Sequence, residues 1–156
     1  MFESLGEFAT LGRPLLCMGL GLCFLLSGKC HAAMPTGLDI FRVPVQRFDP
    51  RLTDETERPL LTPHAGPSLV VGFDRHPYLA PLIDKGEPGL WFTFRHRLCA
   101  PSRVPQADVA VCHHGFPFAG ALWRDHILAL QFLPELSGAT GIDVLRAWWK
   151  HAVERQ

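Results

Sequence analysis

Leu15-Leu16-Cys17-Met18-Gly19-Leu20-Gly21-Leu22-Cys23-Phe24-Leu25-Leu26 is the stretch on which the fold turns. It carries no charge. As a helix it reaches roughly 18 Å, against about 30 Å of hydrocarbon in a bilayer. That is short for a membrane span and right for the h-region of a signal peptide. Small residues follow in Ser27-Gly28-Lys29-Cys30-His31-Ala32-Ala33. The block predicts export, periplasmic or secreted, with residues 1–32 as signal peptide or hydrophobic anchor and a working chain starting near Ala33. Glu3 and Glu7 before the block and Lys29 after it depart from the usual charge asymmetry. The alternative readings are a membrane anchor that stays attached and a buried or interfacial N-terminal helix on an intact chain.

Working outward, residues 33–67 read as an extended segment with an edge strand, and residues 68–156 as the core domain. Fifteen Lys and Arg balance fifteen Asp and Glu. Zero net charge gives no bulk attraction to nucleic acid or anionic lipid, so membrane contact is expected only through an uncleaved N-terminus. The excess of Arg over Lys points to a GC-rich bacterial genome. Of five cysteines, Cys17, Cys23 and Cys30 fall in the leader. Cys99 and Cys112 remain, an even pair that makes a disulfide candidate in an exported domain.

Leu90 to Leu98 (LWFTFRHRL) is the clearest strand. Leu90, Phe92, Phe94, His96 and Leu98 share one face; Trp91, Thr93, Arg95 and Arg97 share the other. Leu38–Val45, Ser68–Phe73 and Ala107–His113 also read as strands, with Pro44 confining the first to an edge. His76–Lys85 has room for one brief helix between its prolines. Ala121–Leu133 fits helix or strand, and a strand over His126–Leu133 is favoured by its end at Pro134. At the C-terminus Thr140 and Asp143 resemble a capping box, and Ile142, Leu145, Trp149 and Ala152 form an apolar stripe. The expected fold is a small α+β (or α/β) single domain, about four or five strands packed by this amphipathic helix.

Histidines invite a metal reading. His96-x-x-Cys99 and Cys112-His113-His114 place two ligand pairs about a dozen residues apart, a loose match to zinc knuckles. His96, Cys99, Cys112 and His114 are thus the candidate zinc ligands, for a binding site or a metal-dependent hydrolase. An oxidised Cys99–Cys112 pair would exclude that site, and no other cofactor is indicated. No glycine-flanked serine, phosphate loop or paired carboxylates point to other catalysis. Trp91, Arg95 and Arg97, on the outward face of the clearest strand, form the candidate binding surface for an unknown protein or small ligand.

Leu69-Val70-Val71-Gly72-Phe73-Asp74, then His76-Pro77-Tyr78 and Ile83-Asp84-Lys85-Gly86, resembles the opening of extracellular solute-binding proteins. Ala107-Asp108-Val109-Ala110-Val111 is similar to a later strand of that fold. The resemblance implies a truncated solute-binding-like periplasmic domain, and no ligand-gripping residue carries over. The leading functional expectation is an exported, non-enzymatic binding or assembly domain.

Overall fold

The period-two pattern of Leu90–Leu98 organises the molecule as the sequence suggests. In the computed structural model, which describes residues 2–28 and 36–154, it becomes strand β6 (Gly89–His96). Phe92, Phe94 and His96 are buried while Trp91, Arg95 and Arg97 are exposed. The strand before it, β5 (His64–Val71), pairs antiparallel with β6 along its whole length, His64 opposite His96 and Leu69 opposite Trp91. β5 starts four residues before the expected Ser68 and runs through Pro67. That proline is tolerated because the other neighbour, β8 (Asp108–His113), reaches only Val70 and Val71.

β9 (Pro117–Arg124) and β10 (Ile127–Leu130) complete an antiparallel run from β8, joined by a tight turn with Asp125 at φ 53°. The single strand expected over His126–Leu133 therefore ends at Leu130, and Ala121–Arg124 belongs to its antiparallel neighbour. β9 and β10 are buried on both faces, and with water on neither side no alternation is imposed on them.

The largest correction concerns the N-terminal block. Leu15–Met18 is strand β1, pairing parallel with β10, Leu15 opposite Ile127 and Met18 opposite Leu130. Gly19 turns the chain into helix α2 (Leu20–Phe24), and Leu26–Ser27 forms β2, which pairs with β3 (Phe41–Pro44). Leu22, Cys23, Leu25 and Leu26 are buried. The block is an edge strand and a core helix of the domain, so the export reading loses its h-region. The expected cleavage site after Ala32 lies outside the described residues. No helix among the described residues is long and apolar enough to cross a membrane.

The result is an α+β domain around a mixed six-stranded sheet in the order β1-β10-β9-β8-β5-β6. One face is covered by α2, β2 and β3, together with helix α1 (Phe2–Thr10), which contributes Ala9, around Phe41, Leu122 and Ala129. A short ribbon of β4 (Gln46–Arg47) and β7 (Leu98–Cys99) lies beside it. The opposite face carries Phe73, Phe92, Phe94, Phe118 and Phe132 beneath helix α3 (Gly138–Glu154). α3 begins two residues before Thr140, and of the expected stripe Ala152 is buried and Leu145 half-buried while the other two positions face outward. Gly141, Val144, Trp148 and Ala152 face or approach the core, whereas Ile142 and Trp149 are exposed, Trp149 by 66%. In place of the His76–Lys85 helix there is one 3-10 turn, Ala80–Leu82, and a second, Phe73–Arg75, precedes that span.

Candidate functional site

The ladder between β5 and β6 fixes a buried imidazole pair. His64 and His96 are directly opposite, and His64 Nδ1 lies 3.1 Å from His96 Nε2. His96 Nδ1 is 2.8 Å from the carbonyl of Leu98, which accepts and so requires the proton on Nδ1. His96 Nε2 must then accept from His64 Nδ1–H, and His64 Nε2 accepts from the Ser68 hydroxyl at 3.0 Å. His114 stacks on His64, ring centres 4.0 Å apart, and donates from Nε2 to the Leu61 carbonyl at 2.9 Å. Phe48 closes the cluster edge-on to His96 and His114. Burial, then the charges of His114 and His96, depresses the His64 pKa to about 3. Burial depresses His96 to about 4.

These bonds bear on the zinc reading. Both ring nitrogens of His64 and of His96 are committed within the protein. Among the described residues no three His, Cys, Asp or Glu side chains form a group able to hold a metal. Of the candidate ligands, His96 and His114 come together around His64, but Cys99 and Cys112 do not complete a site with them. Those two cysteines are separate thiols, not a disulfide, each pushed up to about 12 by burial. Trp91, Arg95 and Arg97 do share an exposed face, Trp91 at 58%, with Val71 and Leu69 beside it in a shallow groove.

Sequence reasoning missed the second arrangement, at Gly19. There a strand ends, the backbone turns at φ 56° and ψ −121°, and a helix begins at once. The Gly19 amide donates to the Leu130 carbonyl at 2.8 Å, locking the turn to the end of β10. This sharp strand–turn–helix has the backbone geometry of a nucleophile elbow, which lifts one side chain clear of a sheet. Here the raised residue is glycine. A Cβ built on it would stand 3.3 Å from Leu133 Cδ2, in the segment that leaves β10. Leu133 is itself held by its amide, which donates to the Thr93 carbonyl at 3.0 Å. Between Leu133 and β10, Gln131 is 1% exposed, and among the described residues neither amide atom of its side chain has a partner. The signal available in the sequence was Gly19-x-Gly21 inside an otherwise apolar run, which disfavours a continuous helix.

No protein-family model matches the chain. The chain is similar to enzyme subunits: it is 34% identical over 140 residues to "Imidazole glycerol phosphate synthase subunit HisH 2" of Prochlorococcus marinus, covering 88% of this chain and 60% of that protein. It is 32% identical over 148 residues to the HisH subunit of Synechococcus elongatus, covering 93% and 63%. It is 31% identical over 152 residues to "Imidazole glycerol phosphate synthase hisHF" of Schizosaccharomyces pombe, covering 94% of this chain and 26% of that much longer protein. The chain thus spans about 60% of the length of the bacterial relatives.

A match covering 93% of the chain runs through Leu15–Leu26, as the pairing of β1 with β10 requires. The expectation of an exported, non-enzymatic binding domain is overturned, because the relatives are subunits of a synthase and the supposed leader is part of the fold. Periplasmic or secreted placement, the anchor in a membrane and the unspecified small ligand fall with it. The zinc-hydrolase alternative has no ligand group to support it among the described residues. The solute-binding resemblance fails as well: its two strands are β5 and β8, which pair antiparallel with each other.

Proposed function

We propose that this chain works as a subunit-type component of an imidazole glycerol phosphate synthase, in contact with a further synthase polypeptide. The observation that carries the reading is the similarity to synthase subunits along nearly the whole chain. In the Schizosaccharomyces pombe relative the matching region occupies only a quarter of the protein, so there it is joined to a much larger remainder.

A surface suited to such contact lies where α1 meets α3. Leu11, Trp149 and Val153 are exposed there around a groove that Phe8, Pro14 and Trp148 also line. Exposed tryptophan beside aliphatic side chains is what protein interfaces favour. β1 adjoins it, an uncharged strand that among the described residues ends the sheet and pairs with β10 alone.

The test is to add the purified chain to a synthase preparation from which its HisH subunit has been removed. Complex formation by size-exclusion chromatography with light scattering, and a changed rate of imidazole glycerol phosphate formation, support the reading. Trp149→Asp should weaken the complex without unfolding the chain. No complex and no change in rate would reject it.

A further inference from the structure

We infer that β1, Gly19 and α2 form a nucleophile elbow whose nucleophile position is vacant, with Leu133 occupying the place from which a base would serve it. The turn supplies the geometry, a residue at φ 56° set between a strand and a helix. Covalent catalysis at such a turn needs an oxygen or sulfur nucleophile, with a base within hydrogen-bond reach. Neither is present. Residue 19 has no side chain, and the group nearest its vacant Cβ position is the aliphatic end of Leu133.

Neighbouring residues do not substitute. Met18 and Leu20, on either side of Gly19, are exposed and apolar. Cys17 lies back on the strand opposite Ala129, and burial pushes its thiol up to about 11, leaving it protonated at neutral pH. Cys23 is fully buried in α2. The frame of an elbow enzyme is therefore kept while its covalent chemistry is absent. This rests on the turn and on the side chains around it, not on the similarity to synthase subunits, so it and the synthase reading can fail separately.

The experiment fills the vacancy. Wild type, Gly19→Cys and Gly19→Cys/Leu133→His are each incubated with p-nitrophenyl acetate. In the double variant the introduced imidazole takes the thiol proton and sulfur attacks the acyl carbon. The S–C bond forms as the C–O bond to p-nitrophenolate breaks. Water later cleaves the thioester, returning acetate and the thiol.

Wild type should carry no acetyl group on the peptide spanning residues 15–24. The double variant should release p-nitrophenolate in a burst close to the protein concentration, and acylate about 10²-fold faster than Gly19→Cys. Acetylation of that peptide in wild type overturns the inference, as does a folded double variant no faster than the single one. Folding is checked with Gly19→Ala/Leu133→Ala, the smallest side chain with room made for it. If that chain does not fold, position 19 never accommodated a side chain and the elbow assignment falls.

Discussion

Leu133 lies so close to Gly19 that a Cβ there would stand 3.3 Å from its Cδ2, and the leucine would have to give by a few tenths of an ångström to admit one. Glycine removes the penalty that any L-residue would meet at φ 56°, so the turn that strains an elbow enzyme is relaxed here. An apolar partner suits an empty position and would be a poor one for a reactive side chain. The Gly19 amide, donating to the Leu130 carbonyl, joins the N-terminal block to the end of β10 beside this pair.

The imidazole cluster makes stability fall in acid. His64, His76 and His96 have folded pKa values depressed to about 3, 4 and 4, against an ordinary value of 6.5. For His76 the causes are burial and then the charge of His151. Between those limits the unfolded chain binds protons that the folded chain refuses, so stability rises with pH across this window and is lost as pH falls through it. The melting temperature at about pH 4.5 should lie well below that at about pH 7.5. A flat profile would mean the rings are solvated.

On α3 the inward phase predicts opposite outcomes for adjacent tryptophans. Trp148→Ala removes packing against the phenylalanine face and should cost about 2–4 kcal/mol. Trp149→Ala, on the exposed side, should stay within about 0.5 kcal/mol. Urea titration of both variants decides it, and the reverse order would return the helix to the phase read from the sequence.

Gln131 should be replaceable. A buried amide with no partner costs about 1–3 kcal/mol, and an apolar group of similar shape avoids that cost. Gln131→Met is expected to raise the melting temperature. A lowered one would show that the amide is satisfied in solution.

Cys99 and Cys112 should resist alkylation in the folded chain and both react after denaturation without reductant. Reductant should leave the melting temperature unchanged. Protection from alkylation in denaturant, released by reductant, would restore the disulfide.

What was legible in the sequence follows from where water lies. β6 has one wet face, so Trp91, Arg95 and Arg97 alternate visibly with Phe92, Phe94 and His96. β9 and β10 have none, and over Ala121–Leu133 the helical spacing of Trp123, Ile127 and Leu130 competes with the alternation of Leu128, Leu130 and Phe132. Leu15–Leu26 is apolar for the same reason, and composition alone does not separate a buried strand and helix from an h-region. On α3 the adjacent Trp148 and Trp149 left the phase to one residue's choice. His64 and His96 are distant in sequence and meet only through strand register. The elbow escaped notice because motif reading searches for the nucleophile, and here that position is glycine.

Backbone amide exchange across residues 15–24 tests the central claim most directly, that this block is a working limb of the sheet. The amides of Leu15 and Gly19 donate to the His126 and Leu130 carbonyls at 2.9 and 2.8 Å, one at each end of β10. They should exchange only on global unfolding, as slowly as the amides of β9. Exchange at the rate of an unstructured peptide, with β9 still protected, would contradict it and detach the N-terminal block from the fold.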